Sequence, residues 1–175
     1  VDALGLLADP KNRSVDRVTI PEGLWASEIY ERLSKATGVP LKNYTAAAKD
    51  AKALGLPAAA KGNPEGWLFP STYEFGPKAT ATEQLATMVD QAIKVMTAEK
   101  IPESKWEETM IMASIIESEA GSSADRRKVS RVFYNRLENP SAETVGMLQS
   151  DATVSNAATR RAVAPTAQEL ADKSN

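Results

Sequence analysis

The chain contains no histidine and no cysteine. Their absence removes serine–histidine and cysteine–histidine nucleophile systems, thiolate chemistry, imidazole metal sites and any disulfide framework. Acid–base chemistry therefore falls to Asp, Glu, Lys or Tyr. Basic charge is not in excess either: 21 Lys and Arg stand against 23 Asp and Glu, for a net charge of -2. No global positive field exists to hold nucleic acid. No apolar run approaches the roughly 18–20 residues that span a bilayer, and no signal peptide is visible. The sequence begins at Val1 and stops at Asn175 in mid-pattern, which reads as an excised piece, so the missing run says little about an anchor. What is present suffices for a core. With 175 residues, 42% of them apolar, and three Trp and three Phe, the composition fits one domain or a domain with a small appendage.

Punctuation divides the chain into short elements. Residues 18–20 predict a strand, closed by Pro21-Glu22-Gly23. Trp25, Ile29 and Leu33 recur every four residues before Gly38, predicting a helix over 26–37, and a second is expected over 41–54, ending at Gly55. Residues 56–64, rich in Ala, Pro and Gly, read as a linker, so 1–62 should form a separate arm and 63–175 the main domain. Residues 68–75 read as extended. Capping boxes at Thr80/Glu83 and Ser104/Glu107 open helices expected at about 82–98 and 104–120. Another helix is expected at 124–138, then a short strand at 147–148, an N-cap at Ser150 or Asp151, and a last helix opened by Thr166 and Glu169. The fold class is α+β, predominantly helical. The three capped helices should pack with the middle one central, burying Ile111, Ile115, Ile116, Val132 and Phe133.

Residues 110–121 read Met-Ile-Met-Ala-Ser-Ile-Ile-Glu-Ser-Glu-Ala-Gly. Glu117 and Glu119 thus end a helix that is apolar nearly all round, the pattern of a buried central helix. A carboxylate against aliphatic walls is costly while ionised, so its pKa is expected to rise toward the range where it gives and takes a proton near neutrality. At about 100° per residue the two side chains point to nearly opposite sides, so a shared proton is not expected. The alternative is a last turn open to water, and periodicity alone does not choose. Arg126, Arg127, Lys128, Arg131 and Arg136 cluster on one helix and read as a solvated face.

Four motifs occur in order: Glu65-Gly-Trp-Leu-Phe-Pro-Ser-Thr-Tyr-Glu-Phe75, Ala113-Ser-Ile-Ile-Glu117-Ser-Glu119, Val132-Phe-Tyr-Asn-Arg-Leu137 and Met147-Leu-Gln-Ser-Asp-Ala-Thr-Val154. Together they resemble the endolytic murein transglycosylase family (MltG or YceG-like), membrane-anchored lytic enzymes, over about residues 18–166. The resemblance implies a mixed α/β lytic transglycosylase domain over 63–175, truncated at its C-terminal end, after a truncated LysM-like N-terminal part over 1–62. It maps the catalytic acid/base onto Glu117 and the glycan cleft onto Asn135, Arg136, Gln149, Ser150 and Asp151, with Glu119, Glu65 and Tyr73 in support. It implies a lyase that cleaves the MurNAc-β-1,4-GlcNAc bond of peptidoglycan strands and leaves 1,6-anhydroMurNAc ends, with no cofactor and no metal. The implied place is the extracytoplasmic face of the bacterial cytoplasmic membrane, through an anchor outside this chain, beside the cell-wall synthesis machinery. Nucleic acid is not an expected partner.

Plainer roles stand beside these. Glu65-Gly66 fits a simple turn, Asn135 shares a face with Arg131 and Lys128 and so fits a solvated position, and Asp151 fits an N-cap. Ser71 replaces the family's usual Asp, while Ala152, Ser155 and Asn156 interrupt a run that normally continues Pro-Thr-Val-x-Tyr. The family's later motifs are missing, so an incomplete site is expected.

The implied chemistry suits the composition. The muramic acid's own C6 hydroxyl attacks C1, so no second carboxylate is needed and much of the entropic cost is already met. One glutamate serves as acid and then as base. Gln149, Asn135 and Ser150 suit N-acetyl and hydroxyl groups, and Arg136 suits a lactyl or peptide carboxylate. Two other readings remain: a cell-wall glycoside hydrolase with Asp151 or Glu119 holding water, and a non-catalytic peptidoglycan-binding or scaffold piece.

Overall fold

In the computed structural model, which describes residues 15–139, 141, 143–151 and 153, two short strands of alternating pattern come together from distant parts of the sequence. β1 (Asp16–Thr19) pairs antiparallel with β2 (Thr72–Phe75), with Val18 opposite Tyr73 and Thr19 opposite Thr72. Val18, Tyr73 and Phe75 are buried. Thr19 and Thr72 join their hydroxyls at 2.9 Å, and the Tyr73 and Phe75 rings stack at 5.7 Å. The remaining elements are α1 (Ala26–Thr37), α2 (Leu41–Ala47), α3 (Ala81–Ala98), α4 (Trp106–Glu119) and α5 (Arg126–Glu138), with short 3-10 turns at Ala58–Ala60 and Glu103–Lys105. The described chain is thus mostly helical, with five helices and a small two-stranded sheet.

Several endings follow from local chemistry. Gly38 closes α1 at φ 73°, a left-handed conformation costly for other residues, and returns its N–H to Ser34 O at 3.0 Å. α2 stops at Ala47 instead of running to residue 54; beyond it, Asp50 Oδ1 accepts from Ala53 N at 2.9 Å, a side-chain bond that competes with helix. Thr80 and Glu83 form the expected capping box. The hydrogen bonds from Thr80 hold the Glu83 carboxyl below its ordinary value. Ser104 and Glu107 do not open α4 in the expected way: a 3-10 turn after Pro102 leads into it, and Glu107 Oε1 is taken by Lys61 Nζ at 2.5 Å. The expected strand at 147–148 is irregular chain. The helix expected after Thr166 and Glu169 lies outside the described residues.

The chain divides into two compact units between Glu107 and Glu108, not after residue 62. The reason is visible in the first unit. Leu33, Tyr44, Leu54, Leu85, Met88 and Val89 are each no more than 1% exposed, and α2 lies against both α1 and α3. A buried polar chain ties the three helices. Tyr44 OH donates to Gln84 Oε1 at 2.7 Å, Gln84 Nε2 donates to Ala79 O at 3.0 Å, and Thr37 Oγ1 meets Tyr44 OH at 3.0 Å. With its partners supplied, Gln84 is tolerated at 1% exposure. The Ala-rich stretch is no spacer. Its 3-10 turn buries Ala60, because small residues let backbone approach the core closely.

The second unit has a thinner core. Met112, Ile115 and Phe133 are buried, and Ile116, Val129, Tyr134 and Leu148 pack against them. Ile111 and Val132, expected inside, are 54% and 46% exposed. The middle of α4 is apolar nearly all round, but within this unit its covered stripe is Met112 and Ile115. Ile111 and Val132 each lie one residue, about 100°, away from a buried neighbour.

Candidate active site

The last turn of α4 and the first turn of α5 bring the acidic and basic candidates together. Ala120 N still reaches back to Ile116 O at 2.9 Å. Residues 121–125 then turn the chain, with Ser122 Oγ donating to Asp125 Oδ2 at 2.6 Å. The turn is short, so Arg126 returns beside Glu117. Its Nη2 lies 2.9 Å from Glu117 Oε1 and 2.7 Å from Oε2, one nitrogen straddling both oxygens. The pair is partly open, with side chains 38% and 30% exposed. Ion pairs this exposed contribute only about 0.2–1 kcal/mol. Arg126 Nε is buried without a hydrogen-bond partner.

This differs from the environment expected for Glu117. What meets its oxygens is a guanidinium and not an aliphatic wall. Arg126, read from the sequence as part of a solvated basic face, is the residue that reading missed. The available signal was the short turn between the two helices, which sets the start of α5 near the end of α4.

Glu119 takes a different partner. Ser150, 4% exposed, donates its Oγ to Glu119 Oε1 at 2.6 Å. The two glutamates therefore serve separate contacts, as their opposite directions predict. Arg136 donates through Nη1 to the Leu148 carbonyl and places its guanidinium 5.8 Å from the Phe133 ring centre. Both of these contacts are internal to the unit. Residues 148 and 150 are thus tied to α5 and α4. Between them, Gln149 is exposed with φ 53°, a left-handed conformation that costs free energy in a residue with a side chain. Asp151 is exposed and begins a helical turn, in which Thr153 N donates to Ser150 O at 3.2 Å. Asn135 is exposed on α5, in keeping with the face it shares with Arg131 and Lys128.

Glu65 and Tyr73 belong to the first unit and have structural partners there. Glu65 caps α1 from a distance in sequence, its Oε2 and Oε1 accepting from Ala26 N at 3.0 and 3.3 Å. Glu28 Oε2 accepts from the neighbouring Trp25 N at 2.8 Å. Two carboxylates thus satisfy N–H groups that a helix start leaves open. Tyr73 OH donates to Phe69 O at 2.5 Å, and burial raises its pKa above the ordinary tyrosine range. An open hollow of about 550 Å³ in this unit, bordered by Phe75, Pro77, Lys78 and Glu83, includes none of the candidate residues.

A sequence profile described as the YceG-like family matches residues 1–174. The chain belongs to the YceG-like family. Among relatives, the endolytic murein transglycosylase of Bacillus subtilis (strain 168) is 38% identical over 99 residues, covering 54% of this chain and 26% of the relative. That of Streptococcus pneumoniae serotype 2 is 28% identical over 153 residues, 74% of this chain and 28% of the relative. The chain therefore spans little more than a quarter of the length of these curated relatives. The fold is that of a crystal structure of a putative YceG-like protein from Listeria monocytogenes, with a TM-score of 0.74 at 23% identity, over 97% of this chain and 61% of that one.

Proposed function

We propose that this YceG-like chain is part of an endolytic peptidoglycan lytic transglycosylase, with Glu117 as its acid/base. The carrying observation is the Glu117 carboxyl, partly exposed at the end of α4 and engaged by one exchangeable cationic partner, in a chain without histidine or cysteine. The relatives' shared name supports the same reading. In this reaction a protonated Glu117 gives its proton to the glycosidic oxygen as the C1–O bond breaks. The C6 hydroxyl oxygen of the muramyl residue then bonds to C1, and its proton returns to Glu117. The sugar product carries a 1,6-anhydro ring, and no water is consumed. Gln149 and Asn135 present exposed amides suited to N-acetyl and hydroxyl groups. Ser150, Glu119 and Arg136 hold the segment bearing Gln149. The substrate places the working enzyme on the outer side of the cytoplasmic membrane. Among the described residues no helix is long and apolar enough to cross a membrane.

Glu117→Gln in the intact protein tests this reading. The substitution keeps shape and removes the transferable proton, so release of 1,6-anhydro ends should fall by roughly three orders of magnitude while the melting temperature holds. Near-normal cleavage by this variant would refute the assignment, and products one water heavier would mean hydrolysis. Loss on Glu119→Gln alone would exchange the two roles.

A further inference from the structure

Glu117 is held in a state that the first half of its proposed reaction does not use. A general acid needs a proton on the oxygen facing the leaving group, yet both Glu117 oxygens lie within 2.9 Å of Arg126 Nη2. The pair has to open before the acid step. It is also an imperfect pair for an arginine. A single nitrogen makes both contacts, while Nε, which would form one arm of a side-on fork, is buried and unpartnered. A planar carboxylate gripped by both terminal nitrogens of this partly exposed guanidinium would satisfy more of it than Glu117 does through one. The surroundings favour such a ligand. Arg127, Lys128 and Arg131 are exposed on the same helix, and among the described residues only Lys128 of the three has an acidic neighbour, Asp125, at 3.7 Å.

We propose that Arg126 is an anion receptor that couples substrate charge to the acid/base: a carboxylate carried by the glycan strand draws the guanidinium off Glu117 and so opens that carboxyl to the glycosidic oxygen. This rests on the transglycosylase reading and adds a specificity-determining residue to it. The ligand is the lactyl or stem-peptide carboxylate of the strand. Neutral strands of the same sugars leave the Arg126–Glu117 pair closed and are cleaved slowly.

The experiment compares strands bearing free carboxylates with the same strands converted to primary amides, measuring kcat and KM for 1,6-anhydro product in the intact protein. The wild type should favour the carboxylate strands by about tenfold or more in kcat/KM, the scale of a charge-assisted hydrogen bond. Arg126→Gln should bring that ratio near one. Arg126→Lys, which keeps charge but not the planar fork, should fall between them. Equal wild-type rates on both strands, or an unchanged ratio in Arg126→Gln, would overturn the proposal. If Arg126→Gln does not fold, by circular dichroism, Arg126→Lys decides: a reduced ratio supports the receptor role and the wild-type ratio defeats it. Glu117→Gln, run in parallel, separates the two ideas. Its full activity would remove the acid/base reading, whereas its inactivity beside an unchanged Arg126→Gln ratio would remove only the receptor.

Discussion

The unit that ends at Glu107 and the unit that begins at Glu108 handle polar groups in different ways. In the first, Gln84, Tyr44, Thr37 and the Ala79 carbonyl satisfy one another inside a core of fully buried Leu, Met and Val. In the second, the hydrophobic cluster is small, and Ile111, Val132, Leu137, Val145 and Met147 are exposed. There Glu117 and Arg126 form a pair that solvent reaches. A buried network rigidifies because its groups have nowhere else to go. A partly exposed ion pair is exchangeable. The difference teaches that the candidate site sits where the contacts are cheapest to break.

Paired core truncations test this contrast most strongly. Leu85→Ala should cost about 2–5 kcal/mol, because its site is closed on all sides and collapses poorly. Ile115→Ala, in the thinner cluster, should fall near about 2 kcal/mol, the lower end of the same range. Denaturant melts read both, and equal losses would erase the contrast.

Alkaline titration comes next. Tyr30 is pushed up to about 12, by burial first and then by the Glu65 charge. Tyr44 and Tyr73 are also raised by burial. A raised tyrosine contributes stability that is complete below its unfolded value of 10.0 and is lost as pH rises through the folded value. The first unit should therefore weaken above pH 10.0, with tyrosinate absorbance appearing together with loss of helix. Tyrosinate forming at pH 10.0 with the helices intact would contradict the burial.

Two single contacts give the smallest effects. Glu65→Ala removes the acceptor of Ala26 N and should cost about 1 kcal/mol, the usual worth of a helix cap, with glycan cleavage unchanged. Ser150→Ala removes the bond to Glu119 and should cost about 1 kcal/mol or less, but should lower turnover several-fold by loosening Gln149. Should Glu65→Ala lower cleavage while Ser150→Ala does not, the division of labour between the units is reversed.

Much of the secondary structure was legible because its signals are local. Gly38, the Thr80/Glu83 box and the four-residue spacing of Trp25, Ile29 and Leu33 act within a turn or two of chain. The linker expectation failed for the opposite reason. Small residues look alike in a spacer and in a tightly packed turn, and only the burial of Leu54 and Ala60 tells them apart. The central helix failed similarly, since an all-apolar pattern does not say how many faces are covered.

For the candidate site, the sequence by itself determined which chemistry is open: with no histidine or cysteine, proton transfer falls to Asp, Glu, Lys or Tyr, and the motif order pointed to Glu117. Tertiary structure decided what each carboxyl faces. Glu65 became a helix cap, Glu119 a tether for Ser150, and Glu117 the partner of Arg126. Residue type and helical phase fix a side chain's direction, but its partner comes from whichever element the fold returns to that direction. Covalent spacing alone does not contain that information.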